Sequence, residues 1–128
     1  MSTILVVDDE PTIRILIRAA LEGRGYRLVE AADGVSALRV AQREQPDLIL
    51  LDIGLPSLNG LEVCRRLKED PATATTPVFF LTGFVQQTER RTFEGAGAQG
   101  FIAKPFSPAD LVAQIEDTLR QRAALASH

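Results

Sequence analysis

The sequence predicts an α/β domain: a five-stranded parallel sheet with helices on both faces. Three observations carry this. Four short runs, at residues 4–7, 48–51, 78–81 and 101–103, are apolar nearly without interruption, which suits strands buried on both faces. Segments with apolar residues at helical spacing lie between them. Strand and helix alternate along the whole chain as βαβαβαβαβα, and such alternation gives a parallel sheet joined by right-handed crossovers.

The first strand is Ile4-Leu5-Val6-Val7. A helix over 11–23 follows, with Ile13, Leu16, Ile17, Ala20 and Leu21 on one stripe and a stop at Gly23 and Gly25. Residues 26–31 form a weaker strand, alternating Tyr26, Leu28 and Glu30 with Arg27, Val29 and Ala31. The helix over 33–44 carries Val35, Leu38 and Ala41, and that over 59–69 carries Leu61, Cys64 and Leu67 before halting at Pro71. Residues 86–94 make a poorer, shorter helix, followed by Gly95 and Gly97. The last helix, over 107–120, opens with Ser107-Pro108-Ala109-Asp110: an N-cap serine, proline at the first helical position and an acid at the capping-box position. One domain is expected over residues 1–122, with a frayed tail at 123–128.

With 128 residues, one domain fits and two do not. Hydrophobic residues at 45% and charged residues at 24% are globular values. A net charge of −3 argues against direct nucleic-acid binding, which usually shows a basic patch. Cys64 is the single cysteine, so no internal disulfide can form. No stretch approaches the roughly 20 apolar residues of a membrane span. The expectation is a cytoplasmic protein without membrane insertion.

In open parallel sheets, ligands bind beyond the carboxyl ends of the strands. The first apolar run ends in Asp8-Asp9-Glu10, the second in Asp52, the third in Thr82 and the fourth in Lys104. Each alone has an ordinary reading as a turn former, a helix cap or a surface lysine. Together they bring acids, a hydroxyl and an amine to one edge. Asp8, Asp9 and Asp52 would stand close, and two like charges 4 Å apart repel by about 4 kcal/mol at an effective dielectric of 20. Lys104 alone leaves this cluster negative, so a divalent cation is expected. All-oxygen ligands favour Mg²⁺, with Mn²⁺ a possible replacement. Cation, hydroxyl and ammonium form a cage for a phosphoryl group, and a carboxylate inside it can act as nucleophile to give an acyl phosphate.

The residues 6–10 (VVDDE), 46–56 (PDLILLDIGLP), 59–62 (NGLE), 77–83 (PVFFLTG) and 97–106 (GAQGFIAKPF) resemble the receiver domain of two-component response regulators, in particular the single-domain chemotaxis-regulator type. The resemblance covers nearly the whole chain. It implies the flavodoxin-like strand order 2-1-3-4-5 and makes Asp52 the phosphoacceptor. It places Asp9 directly on the metal, Asp8 on it largely through water, and the Gly54 carbonyl as the remaining protein ligand. It assigns Thr82 and Lys104 to the phosphoryl oxygens and Phe101 to a switch aromatic. Signalling would remodel the face built by the helix at 86–94, the strand at 101–103 and the last helix. The Lys104–Pro105 bond is expected to be cis. A histidine kinase or histidine phosphotransfer protein would donate the phosphoryl group, docking on Thr12, Ile13, Leu16 and Pro105, with Ile15 as an extension because it falls opposite the core stripe. The downstream effector is not legible, nor is the choice between a monomer and a phosphorylation-dependent dimer, or between a free-standing relay and a module of a longer chain. Three departures from the family stand out: Gly54 leaves the phosphate uncovered, Phe84 is bulky, and residues 92–100 are rich in glycine and alanine.

Competing readings fit less well. An aspartyl-phosphate phosphatase would need an acid two residues after the nucleophile, where Gly54 stands. A flavin carrier would need a hydroxyl- and glycine-rich loop after the first strand, where Asp8-Asp9-Glu10 stands. A receiver that binds partners without phosphorylation would not need the complete acid, hydroxyl and lysine set. Residues 95–100 match G-x-G-x-x-G but precede a strand rather than open a helix. Cys64 reads as a buried inert thiol, and His128 has no ligand partner. The expected protein is a covalently modified signalling module, not an enzyme.

Overall fold

Each apolar run becomes a strand because both of its faces are covered. The computed structural model describes residues 1–83, 91–92 and 94–126. The elements run β1 (Thr3–Val7), α1 (Pro11–Leu21), β2 (Arg27–Ala31), α2 (Gly34–Glu44), β3 (Leu48–Asp52), α3 (Gly60–Glu69), β4 (Val78–Thr82), β5 (Gly100–Ala103) and α4 (Pro108–Ala126). All strand pairs are parallel, in the order β2-β1-β3-β4-β5. This is the flavodoxin-like order, and its reversal falls between β1 and β3.

Alternation within each strand divides the core into two layers. Ile4, Val6, Leu48, Leu50, Phe79, Leu81 and Ile102 point to one face, where Ile17 and Leu21 of α1 and Leu111, Val112 and Ile115 of α4 cover them. Leu5, Val7, Ile49, Leu51, Val78 and Phe80 point to the other, under Ala37 and Ala41 of α2 and Val63, Cys64 and Leu67 of α3. A strand buried on both sides has no polar positions to alternate, which explains the unbroken apolar runs. At the sheet edge, β2 keeps more exposure and a mixed sequence.

The helix ends follow local chemistry. Asp33 caps α2, its carboxylate accepting from the Ser36 amide at 2.7 Å, and Asn59 caps α3 by accepting from the Glu62 amide at 3.0 Å. Ser107 caps α4, its hydroxyl accepting from the Asp110 amide at 3.4 Å. The Lys104–Pro105 peptide bond is cis.

Four details differ from the expected pattern. Leu16 is 50% exposed and Val35 47% exposed. The stripe of α1 that meets the sheet is Ile17 and Leu21 with Ile13 and Ala20 at its borders, and α2 buries Gly34, Ala37 and Ala41. Small side chains let α2 sit close to the sheet and turn Val35 outward. In α3, Val63 rather than Leu61 is buried with Cys64 and Leu67. The final helix continues to Ala126, past the expected boundary at 122, because Gln121-Arg122-Ala123-Ala124-Leu125-Ala126 is built from strong helix formers. Of the helix expected at 86–94, Arg91, Thr92 and Glu94 are helical. The remainder, with Phe84, lies outside the described residues, as does His128.

Gly60 fixes the distance between α3 and the end of β3. A Cβ there would meet the Asp52 carbonyl oxygen at 2.4 Å and the Ile53 Cα at 2.8 Å, both backbone atoms. The bare backbone lets the Gly60 amide donate to the Ile53 carbonyl at 2.9 Å. Gly60→Ala should therefore push α3 away from the strand that carries Asp52. The expected cost is about 1–3 kcal/mol of stability, as for other overpacked sites, measured by urea denaturation.

Candidate functional site

The carboxyl ends of β1, β3, β4 and β5 gather the expected side chains beside the point where the strand order reverses. Asp8 follows Val7 at the end of β1, its amide donating to the Ala31 carbonyl at 3.2 Å. Its side chain is fully buried. Oδ1 accepts from the Glu10 amide at 2.9 Å, and Oδ2 faces the Lys104 ammonium at 2.7 Å. Beyond that ion pair, Asp8 Oδ2 has no hydrogen-bond partner among the described residues. The Lys104 Nζ also stands 3.5 Å from Asp52 Oδ1. One ammonium thus bridges two acids from different strands. β5 is placed to deliver it, since Thr82 pairs with Ala103 and the Lys104 amide donates to the Thr82 carbonyl at 2.7 Å.

Asp52 closes β3 opposite Leu81, so Thr82 lies one residue further along the adjacent strand. The Gly54 amide donates back to Asp52 Oδ1 at 3.4 Å. Among the described residues, nothing lies within 4 Å of the position that a Gly54 Cβ would take, so they leave this flank of Asp52 open. Phe101 is half-buried, its ring stacked on Phe80 with centroids 6.0 Å apart and planes at 27°, against the layer formed by α2 and α3.

Burial pushes the Asp52 carboxyl above the usual carboxylate range, the Asp8 charge adds to this, and Lys104 pulls the other way. Burial also works to lower the Lys104 ammonium, but its contacts with Asp8 and Asp52 outweigh burial and hold it above its ordinary value.

Among the described residues, the acids whose carboxylate oxygens all lie within 4.8 Å of one another are Asp8, Asp9 and Glu10. Asp52 is not part of that group; Lys104 ties it to Asp8. Glu10 thus lies as close to Asp8 and Asp9 as they lie to each other. Glu10 was legible only as the third letter of an acidic run. It is the N-cap of α1 in extended conformation, and its side chain makes no capping bond, so the acids here are not consumed by ending the helix. A donor set of carboxylates, with a buried Asp8 oxygen whose partner is the Lys104 ammonium, fits a hard divalent cation. Asp9, Asp8, Asp52 and the Gly54 carbonyl are the groups expected from the sequence to hold one.

The residues expected to dock the donor differ in exposure. Thr12 and Pro105 are exposed, Ile13 is half-buried, and Ile15 and Leu16 are 65% and 50% exposed. No helix among the described residues is long and apolar enough to cross a membrane.

The sequence matches the response regulator receiver domain family over residues 4–116. This chain belongs to that family. As a two-component receiver domain it is a phosphoacceptor. It is 44% identical over 119 residues to the phosphate regulon transcriptional regulatory protein PhoB of Pseudomonas aeruginosa, covering 93% of this chain and 52% of that protein. The chain therefore spans about half the length of the relatives it matches. Among solved structures, it superposes on the receiver domain of the sensor histidine kinase PA1611 from Pseudomonas aeruginosa with a TM-score of 0.84 at 34% identity, covering 92% of this chain and 97% of that one. The PA1611 receiver has a magnesium ion coordinated in its active-site cleft. The chemotaxis protein CheY4 of Vibrio cholerae gives a TM-score of 0.87 at 30% identity, covering 92% of this receiver and 98% of CheY4.

Because Asp52 has a raised pKa in the folded receiver, its ionised form costs stability. The sign is that of an acid favoured in its neutral form: the penalty is absent below the unfolded value of about 4 and is fully developed once pH exceeds the folded value. Asp52→Asn should therefore raise the melting temperature of the metal-free protein at pH 7 by a few degrees. That advantage should vanish on acidification below about pH 4, and a melting series across pH in EDTA measures both.

Proposed function

We propose that the receiver takes its phosphoryl group on Asp52, from the phosphohistidine of a histidine kinase or histidine phosphotransfer protein. The observation that carries this is the Lys104 ammonium between Asp8 and Asp52, at 2.7 and 3.5 Å. Asp52 shares that ammonium with Asp8 and, among the described residues, has open space beside it at Gly54, which supports this reading. In the transfer, an Asp52 carboxylate oxygen bonds to phosphorus, the phosphorus–nitrogen bond breaks, and the imidazole leaves. Lys104 pairs with the incoming phosphoryl oxygens, and Thr82 offers its hydroxyl to another. Mg²⁺, or Mn²⁺ in its place, supplies charge neutralisation for those oxygens when bound by Asp9, Asp8, Asp52 and the Gly54 carbonyl. The relative with a coordinated magnesium ion supports this metal assignment.

The switch follows from the same parts. Thr82 and Phe101 sit on neighbouring strands, and Lys104 is three residues beyond Phe101. A phosphoryl group that draws Thr82 and Lys104 toward itself pulls on both strands. The ring of Phe101, already stacked on Phe80, reports that pull to the surface formed by β5, α4 and the segment before β5. The site is that of a covalently modified relay rather than a turnover enzyme.

With acetyl phosphate and Mg²⁺, the intact mass should rise by one phosphoryl group that hydroxylamine removes. Asp52→Asn should abolish this gain, and persistent labelling of that variant would move the acceptor elsewhere.

Docking is assigned to Thr12, Ile13, Ile15, Leu16 and Pro105, an apolar patch beside a charged pocket, as in a small transient interface. Ile15 extends the patch along an open cavity of about 430 Å³ that it shares with Ala19, Tyr26 and Leu28. Ile15→Glu should slow transfer from the partner kinase on the order of tenfold while labelling by acetyl phosphate is unchanged. Equal slowing with both donors would mean damage to the pocket rather than to docking.

A further inference from the structure

One guanidinium near the acidic turn has no part in the chemistry above. Arg14, on the first turn of α1, donates from Nη1 to the main-chain carbonyl of Asp8 at 2.6 Å. Its Nε donates to Glu30 Oε1 at 3.0 Å. Glu30 lies near the end of β2, opposite Val6 in the ladder, and its other carboxylate oxygen takes Arg18. The Arg14 side chain is only 20% exposed. Asp8 is the first residue beyond the paired part of β1, and its amide still reaches the Ala31 carbonyl. Past that point the chain must turn into α1 with three acids in succession. Arg14 ties the carbonyl at this turn to β2, so the backbone bearing Asp8, Asp9 and Glu10 is held from outside the acidic cluster.

We propose that Arg14 is a positioning residue of the cation site: by clamping the Asp8 carbonyl, with Glu30 aligning its guanidinium, it holds the acidic turn in the geometry that receives the metal. This rests on the reading of the site as a Mg²⁺ site. Two physical effects of Arg14 oppose each other here, which makes the inference testable by sign. As a positive charge near the metal position, Arg14 repels a cation, so removing it should tighten binding if charge were its main contribution. As a clamp, it spares the metal the work of ordering the turn, so removing it should weaken binding. Glu30 and Arg18 bear on the balance: the Glu30 carboxyl is held below its usual range by Arg18 and then by Arg14, and its negative charge offsets much of the Arg14 field. Arg24 and Glu116, the next charged pair toward the far end of α1, are on exposed surface.

The test is Mg²⁺ titration by calorimetry of wild type, Arg14→Gln, Arg14→Lys and Glu30→Gln, with melting in EDTA as the control for folding. The inference expects Arg14→Gln to weaken Mg²⁺ binding by about tenfold, the scale typical of partners that orient metal ligands. Arg14→Lys keeps the charge but cannot reach Asp8 and Glu30 together as a fork, so it should weaken binding nearly as much. Glu30→Gln should weaken it less. The amide resonances of Asp9 and Glu10 in the metal-free protein should shift or broaden in both Arg14 variants, while the metal-free melting temperature stays within a few degrees. Unchanged or tighter binding by Arg14→Gln overturns the inference, and should that variant fail to fold, wild-type affinity in Arg14→Lys does the same. A wild type that binds no Mg²⁺ removes the site and the inference together. A wild type that binds, beside an indifferent Arg14 variant, removes the inference alone.

Discussion

The ion pair of Lys104 with Asp8 organises this domain's functional edge. Asp8 is fully buried, and an unpaired carboxylate there would be costly. Lys104 meets it at 2.7 Å and reaches Asp52 at 3.5 Å. This requires β1, β3 and β5 to end at a common level, and β5 to be held there by the Lys104 amide on the Thr82 carbonyl. The parallel register of the whole sheet therefore has a chemical as well as a packing reason. A slip of one residue along any of these strands would face an acid or the ammonium into the core.

Much of this arrangement is legible in the sequence because strands buried on both faces leave a simple signature. Apolar runs ending in Asp8, Asp52, Thr82 and Lys104 name both the strands and the residues at their tips. What sequence spacing does not resolve is rotation about a helix axis. Leu16 and Val35 have the right chemistry for a core, yet face outward, since Ile17 in α1 and Ala37 in α2 fit the sheet more closely. Nor does spacing show contacts made by backbone atoms. The approach of Gly60 to the Asp52 carbonyl and the hold of Arg14 on the Asp8 carbonyl need coordinates, because a carbonyl has no letter in the sequence. Glu10 belongs to the same class: its nearness to Asp8 and Asp9 depends on how the turn is folded, not on its place in a run of acids.

A second polar anchor lies at the opposite end of the sheet, away from the acids. The Lys68 ammonium, at the end of α3, donates to the Thr76 carbonyl at 2.6 Å and the Ala74 carbonyl at 3.3 Å, and burial lowers its pKa. Its alkyl stem lies under Gly97, where a Cβ would approach within 3.1 Å. Nearby, the Cys64 thiol reaches the Ala96 carbonyl at 3.5 Å. α3 is thereby tied both to the loop entering β4 and to the turn entering β5. These ties give the two strands that carry Thr82 and Phe101 a common support at their amino ends.

The bare flank at Gly54 bears on how long a message would last. An acyl phosphate is intrinsically prone to hydrolysis, and its persistence depends on how easily water lines up behind phosphorus. Here, among the described residues, no atom comes within 4 Å of the position a Gly54 Cβ would take. A modified Asp52 would be shielded on its inner side by the sheet and left wet on its outer one. Where water reaches phosphorus along such a flank, the mark is brief and a receiver follows its donor closely, suiting a signal that tracks change rather than stores it.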